Sequence, residues 1–215
     1  MKKIITISRE YGSGGRFIAK KLAEELNFAF YDKELIDMAA KESGLSPEFI
    51  EKTEQNLSSG WLYSMMIGSS YSVYSTGTSA GASVGGAKPI IPLADQIFNA
   101  QRKVIIKLAE EKNCVIVGRC ADYILSSCGK FDRNDIFNIF IYGNTEDKIR
   151  RAVQYYGIPE NDAKKIITQI DKRRANHYNT FTENTWGDRK NYNLLLNSSN
   201  LTLDKIVETI CSLVK

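Results

Sequence analysis

A glycine-rich segment between an apolar run and an amphipathic helix pattern constrains the fold of this chain more than any other feature. The apolar run is Ile4-Ile5-Thr6-Ile7, and the segment that follows, Ser8 to Arg16, has three glycines within four residues. Glycine permits a tight turn, and the N–H groups of such a loop and of the helix after it converge on one anion. The segment therefore predicts a strand, a phosphate-binding loop and a helix in succession; a tight turn without a ligand is the alternative.

The loop departs from the usual phosphate-binding sequence, G-x-x-x-x-G-K-[ST], in which the lysine reaches the outer phosphates and the hydroxyl binds magnesium. In this chain Gly15 and Arg16 stand at those two places. The backbone cradle is kept while the lysine is missing. The residues that we expect to bind the phosphates of a nucleotide are Gly12, Ser13, Gly14, Gly15 and Arg16.

Length and composition are those of an ordinary globular protein. With 215 residues, 43% of them hydrophobic and 25% charged, the chain fits one domain with a sizeable core. The net charge of +4 is spread along the chain, so we expect anionic small molecules as partners and no nucleic acid. The first apolar run has the length of one strand, so we expect neither an export signal nor a membrane span. The cysteines form no C-x-x-C pair, which favours buried thiols and a cytoplasmic protein; they are Cys114, Cys120, Cys128 and Cys211.

Strand and helix patterns alternate along the rest of the chain, which predicts an α/β fold with helices on both faces of a parallel sheet. The predicted strands are 4–7, 28–31, 114–117, 138–142 and 192–197. The predicted helices include 16–25, one that begins after Asp32 and ends at Gly44, and one that restarts at Ser46-Pro47. Further helices are predicted at 97–108, around 148–151, at 160–178 and after Thr202.

Residues 55–87 contain no Asp, Glu, Lys or Arg, although the whole chain is one quarter charged. Serine and glycine dominate this stretch without a steady period, so residues 57–87 are predicted to form a flexible loop. The alternative is a lid or contact surface that orders on binding a ligand or a second copy of the chain, since long loops in compact domains are often functional.

Charged residues follow two of the predicted strands. Asp32 ends the second strand, and Arg119 and Asp122 come directly after the third. Ligands of parallel α/β sheets bind outside the carboxyl ends of the strands, so these residues are candidates for one site. The guanidinium of Arg119 can bind a phosphate in bidentate fashion. A surface ion pair between Arg119 and Asp122 is the alternative.

A helical hairpin follows the fourth strand, and both of its arms carry arginines. Arg150 lies in the first arm and Arg173 in the second, with Tyr155-Tyr156-Gly157-Ile158-Pro159 between them. Solvated helix faces would explain these charges. Beside a phosphate loop, the hairpin is instead predicted to be a lid that brings arginines over a transferring phosphoryl group. His177, in the second arm, is predicted to be structural or at the surface.

These motifs, in this order, resemble the nucleoside monophosphate kinases of the P-loop superfamily, and most closely the cytidylate kinase-like family. The similar stretches are 8–16, 115–122, 170–178 and 186–188. The resemblance implies one P-loop kinase domain over 1–215, in three layers with a five-stranded parallel sheet. It also implies a monophosphate-binding insertion at 33–100 and a helical lid at 145–188.

The resemblance further implies ATP-dependent phosphoryl transfer to a nucleoside monophosphate, with CMP or dCMP first, using ATP and Mg²⁺. Residues 12–16 would hold the donor phosphates, and Asp32, Arg102, Arg119 and Asp122 would lie on the acceptor side. Arg16, Arg119, Arg150 and Arg173 would spread the developing charge. No metal ligand is identified. A non-catalytic nucleotide-binding switch and an oligomerising module that uses the 57–87 loop are the alternatives.

Overall fold

The computed structural model describes residues 3–56 and 92–214 of the chain. Within these residues, five strands alternate with eight α-helices. The strands are β1 (Ile4–Arg9), β2 (Ala29–Tyr31), β3 (Cys114–Val117), β4 (Ile136–Tyr142) and β5 (Leu194–Asn197). The helices are α1 (Gly15–Leu26), α2 (Glu34–Ser43), α3 (Pro47–Asn56), α4 (Leu93–Glu111), α5 (Ala121–Ser127), α6 (Thr145–Tyr156), α7 (Glu160–Phe181) and α8 (Leu203–Val214). The predicted α/β fold class is confirmed.

The strands form one sheet in the order β2-β3-β1-β4-β5, and every neighbouring pair is parallel. Strand β1 lies in the centre, where Ile7 pairs with Val117 on one side and with Ile139 on the other. A parallel sheet needs a cover on both faces, which fits the unbroken run of buried residues that begins β1. All carboxyl ends lie at one edge, and this edge carries the glycine loop.

The core has two parts, one on each face of the sheet. Ile5 and Ile7 point to the face covered by α1 and α8, where Leu22 and Ile210 pack. Ile4 points to the opposite face, which α4 and α5 cover. Successive residues of a strand alternate between faces, so one run of isoleucines supplies both layers. The result is three layers, helices over sheet over helices.

Helix ends follow the local chemistry of the sequence. Gly44 ends α2 with φ 74°, in the left-handed region, and Ser46 accepts a hydrogen bond of 3.2 Å from the Phe49 N–H at the start of α3. Several boundaries differ from the predictions, since β1 continues to Arg9 and α4 spans Leu93–Glu111 where 97–108 was predicted. Strand β4 begins at Ile136, two residues early; α7 continues to Phe181; and β5 begins at Leu194, because a short 3₁₀ helix, Arg189–Asn191, precedes it.

The 57–87 tract lies outside the described residues, as do the rest of the stretch between Asn56 and Pro92 and the predictions made for it. Cys114, Cys120 and Cys211 are buried, and Cys128 is partly so. None of the helices that the structure describes is long and apolar enough to cross a membrane.

Candidate active site

The glycine loop joins β1 to α1 with a backbone that other residues fit poorly. Gly12 and Gly14 have φ values of 76° and 79°, in the left-handed region. A Cβ atom at Gly12 would lie 2.6 Å from the Lys148 carbonyl oxygen, and one at Gly14 would lie 2.9 Å from a methyl of Leu203. The hydroxyl of Ser13 donates a 2.8 Å hydrogen bond to the Glu10 carbonyl and closes the turn. Helix α1 then begins at Gly15, with its N-terminus at the loop.

A cavity of about 580 Å³ opens between this loop, the ends of β2 and β3, and helix α7. Among the described residues that line it, cationic side chains outnumber carboxylates by six to three, so an anionic ligand suits it. The cations are Arg9, Arg16, Lys33, Arg119, Arg173 and Arg174, and the carboxylates are Glu10, Asp32 and Glu51.

Asp32 organises two of these arginines. Its Oδ2 lies 2.5 Å from Nε of Arg16, and its Oδ1 lies 3.6 Å from a terminal nitrogen of Arg9. The Asp32 side chain is 8% exposed, whereas that of Arg16 is 53% exposed. One buried carboxylate therefore fixes two guanidinium groups at the mouth of the loop.

Burial lowers the pKa values of Arg9 and Arg119, two of the arginines that line the cavity. Burial, together with the charges of Arg174 and Arg119, lowers the pKa of Arg9 to about 9, although Asp32 opposes the shift. Burial lowers the pKa of Arg119 to about 10, again against the attraction of Asp32. Burial disfavours the charged form of each guanidinium, and an anion bound in the cavity would favour it.

Helices α6 and α7 pack directly on the glycine loop. The Tyr11 N–H donates a 2.7 Å hydrogen bond to Asp171 of α7, and Nζ of Lys148 in α6 lies 2.8 Å from Glu10 and 3.5 Å from Asp171. Arg174 donates to the Arg9 carbonyl at 3.0 Å. The predicted hairpin thus contacts the loop through charged side chains from both of its arms.

Most of the residues predicted for the site lie together. Those that line the cavity are Gly12, Gly14, Gly15, Arg16, Asp32, Arg119 and Arg173, and Ser13 is fully buried in the loop. Three predicted residues do not line it. Arg102 is exposed on α4, and Arg150 is 67% exposed and ion-pairs with Asp147.

Asp122 is the third predicted residue outside the cavity lining. It is 2% exposed and accepts a 2.8 Å hydrogen bond from the Tyr178 hydroxyl, so the surface ion pair considered for it does not describe its environment. Burial raises its pKa to about 6, against the hydrogen bond from Tyr178. Asp122 therefore lies beneath the site.

Residues outside the predicted set complete the site. Arg9 and Arg174 line the cavity, and the rings of Tyr11 and Tyr156 lie 5.0 Å apart beside them. Counting five residues back from Gly14 along G-x-x-x-x-G would have found Arg9. His177 also lines the cavity, where burial and then Arg119 lower its pKa to about 4, so its imidazole is neutral at pH 7.

Solved structures share this architecture. An uncharacterized protein from Eubacterium ventriosum is 27% identical with a TM-score of 0.69, and the match covers 99% of this chain and 98% of that one. A gluconokinase from Sinorhizobium meliloti is 13% identical, with a TM-score of 0.51 over 99% and 91% of the two chains. A shikimate kinase from Acinetobacter baumannii in complex with shikimate is 11% identical, with a TM-score of 0.50 over 100% and 93%.

The two kinases, at these identities, show the fold alone. Among curated proteins, no sequence matches this chain. Residues 4–200, which include the glycine loop, Asp32, Arg119 and the α6–α7 hairpin, match the cytidylate kinase-like family. The chain therefore belongs to the cytidylate kinase-like family.

Proposed function

We propose that this protein transfers the γ-phosphoryl group of ATP to a nucleoside monophosphate, with CMP or dCMP as the first candidates. The observation that carries the proposal is the excess of arginine around a cavity at the glycine loop. Phosphoryl transfer depends chiefly on positioning and on neutralising charge, and an arginine contributes about 10³–10⁵ in rate in related reactions. A cavity with this charge suits two polyanionic substrates.

The loop residues fit the donor phosphates. Gly12 and Gly14 both have a positive φ, and at Gly12 a Cβ atom would also meet the backbone carbonyl of Lys148, so glycine suits both positions and the ligand would meet the loop backbone. Arg16, ion-paired to Asp32 at the start of α1, would place positive charge beside the donor phosphates. We therefore assign donor binding to residues 12–16.

A metal ion would need ligands beyond the side chains that the structure describes. No group of three His, Cys, Asp or Glu side chains in 3–56 and 92–214 is placed to hold a metal ion. Mg²⁺ is commonly bound through substrate phosphates, waters and one or two carboxylates. We propose that Mg²⁺ enters with ATP.

The acceptor would bind beside Asp32 and Arg119, at the ends of β2 and β3. A monophosphate is already an anion at neutral pH, so its transfer needs no general base, which agrees with the neutral, buried imidazole of His177. Arg119 would hold the acceptor phosphate, and Arg173 of α7 would face the transferring group from the lid. Arg102, Asp122 and Arg150 do not line the cavity. To take part in the reaction, each would have to act through a neighbouring residue or move toward the cavity.

Acceptor-dependent turnover tests the proposal. Purified protein with ATP and Mg²⁺ is assayed for ADP release against the nucleoside monophosphates, with shikimate and gluconate included because the fold is shared with kinases of those names. We expect turnover with a pyrimidine monophosphate. Turnover with shikimate or gluconate alone would show that the acceptor is a hydroxyl compound and not a nucleoside monophosphate. Binding of ATP without turnover on any acceptor would favour the nucleotide-binding switch, and an assembly that forms with neither activity would favour the oligomerising module.

A further inference from the structure

Two departures from the usual phosphate-binding sequence are neighbours in space. Reading G-x-x-x-x-G-K onto the chain with Gly14 as the second glycine places Arg9 at the first glycine and Gly15 at the lysine. The chain has thus exchanged glycine for a cation at one position and a cation for glycine at the other. The exchange is reciprocal, and the structure gives a steric reason for it.

The stem of Arg9 occupies the space that a side chain at position 15 would need. A Cβ atom built on Gly15 would lie 2.6 Å from Cβ of Arg9 and 3.0 Å from its Cγ. The next atom, Cβ of Ile141, would be at 3.4 Å, an ordinary contact. Gly15 does not have a positive φ, so its backbone accepts other residues. Among the described residues nearest to this Cβ atom, it is therefore Arg9 that a side chain at position 15 would meet too closely.

The guanidinium of Arg9 extends from the end of β1 along the floor of the cavity. One terminal nitrogen lies against Gly118, where a Cβ atom would come within 2.1 Å of it, and the other lies 3.6 Å from Asp32. The side chain is 19% exposed, and it shares Asp32 with Arg16. Its charge is therefore available to an anion in the cavity.

We propose that Arg9 takes over the role of the missing lysine and binds the outer phosphates of the donor nucleotide from the strand end of the loop. This inference rests on the proposed ATP site. A guanidinium offers a planar pair of donors where an ammonium offers a point charge, so Arg9 binds two phosphate oxygens at once. Its backbone is held in turn by Arg174, which donates to the Arg9 carbonyl at 3.0 Å.

The test exchanges the two positions. Affinities for ATP and for inorganic tripolyphosphate are measured by calorimetry for the parent, Arg9→Met, Arg9→Gly, and the double variant Arg9→Gly with Gly15→Lys. Arg9→Met keeps an apolar stem over Gly15 and removes the charge, and we expect it to weaken both ligands at least about tenfold, the lower range for a charge-assisted hydrogen bond. The double variant should bind at least about tenfold more tightly than Arg9→Gly, because the new lysine then has room and restores the charge.

Arg133→Ala is the matched control, because Arg133 is exposed in the 3₁₀ helix before β4 and does not line the cavity. It should bind both ligands like the parent. Thermal melting confirms that each variant is folded before binding is compared. Parent-like binding of tripolyphosphate by Arg9→Met overturns the inference, as does a double variant that binds no better than Arg9→Gly. These binding measurements need no turnover, so a failure to phosphorylate any acceptor would refute the proposed reaction and leave the result for Arg9 intact.

Discussion

The buried carboxyl of Asp122 should cost the folded state an increasing amount of stability as the pH rises from 4 to 6. Asp122 is 2% exposed, and its hydrogen-bond donor is the neutral hydroxyl of Tyr178 at 2.8 Å. Cys120 and Tyr192, whose pKa values are both raised by burial, add no positive charge to its surroundings. Replacing Asp122 with asparagine removes the titration and leaves an oxygen to accept the bond from Tyr178.

The magnitude follows from the pKa of Asp122, which burial raises from its ordinary value of 3.8 to about 6. Such a difference corresponds to about 3 kcal/mol between the protonated and ionised forms. Because the folded pKa is raised, the folded state holds the proton more tightly than the unfolded state between pH 4 and 6. The contribution of Asp122 to the stability of the folded state therefore falls as the pH rises through this window, and its full cost is present above pH 6.

Urea unfolding of the wild type and Asp122→Asn at several values between pH 4 and 7.5 measures this cost. We expect the variant to be more stable by about 3 kcal/mol at pH 7.5 and the two to converge near pH 4. The difference between the two proteins removes the contributions of other groups, such as His177, whose lowered pKa of about 4 acts in the opposite direction. Tyr178→Phe removes the hydrogen bond that the Tyr178 hydroxyl donates to the ionised carboxylate. In that background, Asp122→Asn should therefore raise the stability above pH 6 by more than it does in the wild type. A difference that is independent of pH would refute the reasoning.

Three further substitutions test the loop and the lid. Gly14→Val should abolish ATP binding in a titration, because its Cβ would meet Leu203 at 2.9 Å in a left-handed backbone, and parent-like affinity would contradict the cradle. Arg173→Ala should lower kcat far more than ATP affinity, with little rescue by Arg173→Lys, and Arg150→Ala measured in parallel identifies which arm supplies the charge. Lys148→Met should destabilise the protein by about 3 kcal/mol in urea, since it leaves Glu10 and Asp171 without the cation between them; an unchanged midpoint would place these charges effectively in water.

The fold was predictable because its signals are local. The isoleucines of β1, the glycine that ends α2 and the serine cap of α3 each act within a few residues. The cavity was predictable in outline for a related reason, since parallel strands bring their carboxyl ends to one edge. Gly14, Asp32 and Arg119 needed only the order of the strands to be placed together.

The details that escaped prediction depend on contacts between distant segments. Asp122 is buried by Tyr178, which comes 56 residues later. In α6, Lys148 and Arg151 are three residues apart on the side that meets the loop, where Arg151 lies 3.4 Å from the Gly12 carbonyl. Arg150 is turned about 100° from its neighbour by the helical repeat and ion-pairs with Asp147 instead. Only the docking of the hairpin distinguishes these adjacent arginines.

The contact between Arg9 and Gly15 also limits how this loop can evolve. A lysine that arises at position 15 meets the stem of Arg9 at 2.6 Å, and the loss of Arg9 alone leaves the strand end without its cation. If Arg9 binds the phosphates as proposed, each single substitution toward the usual sequence therefore weakens phosphate binding or causes a steric clash, and only the paired substitution avoids both. Lineages that carry this pair should keep both residues or replace both together. Arginine at position 9 with lysine at position 15 should therefore be rare among descendants, and so should glycine at both positions.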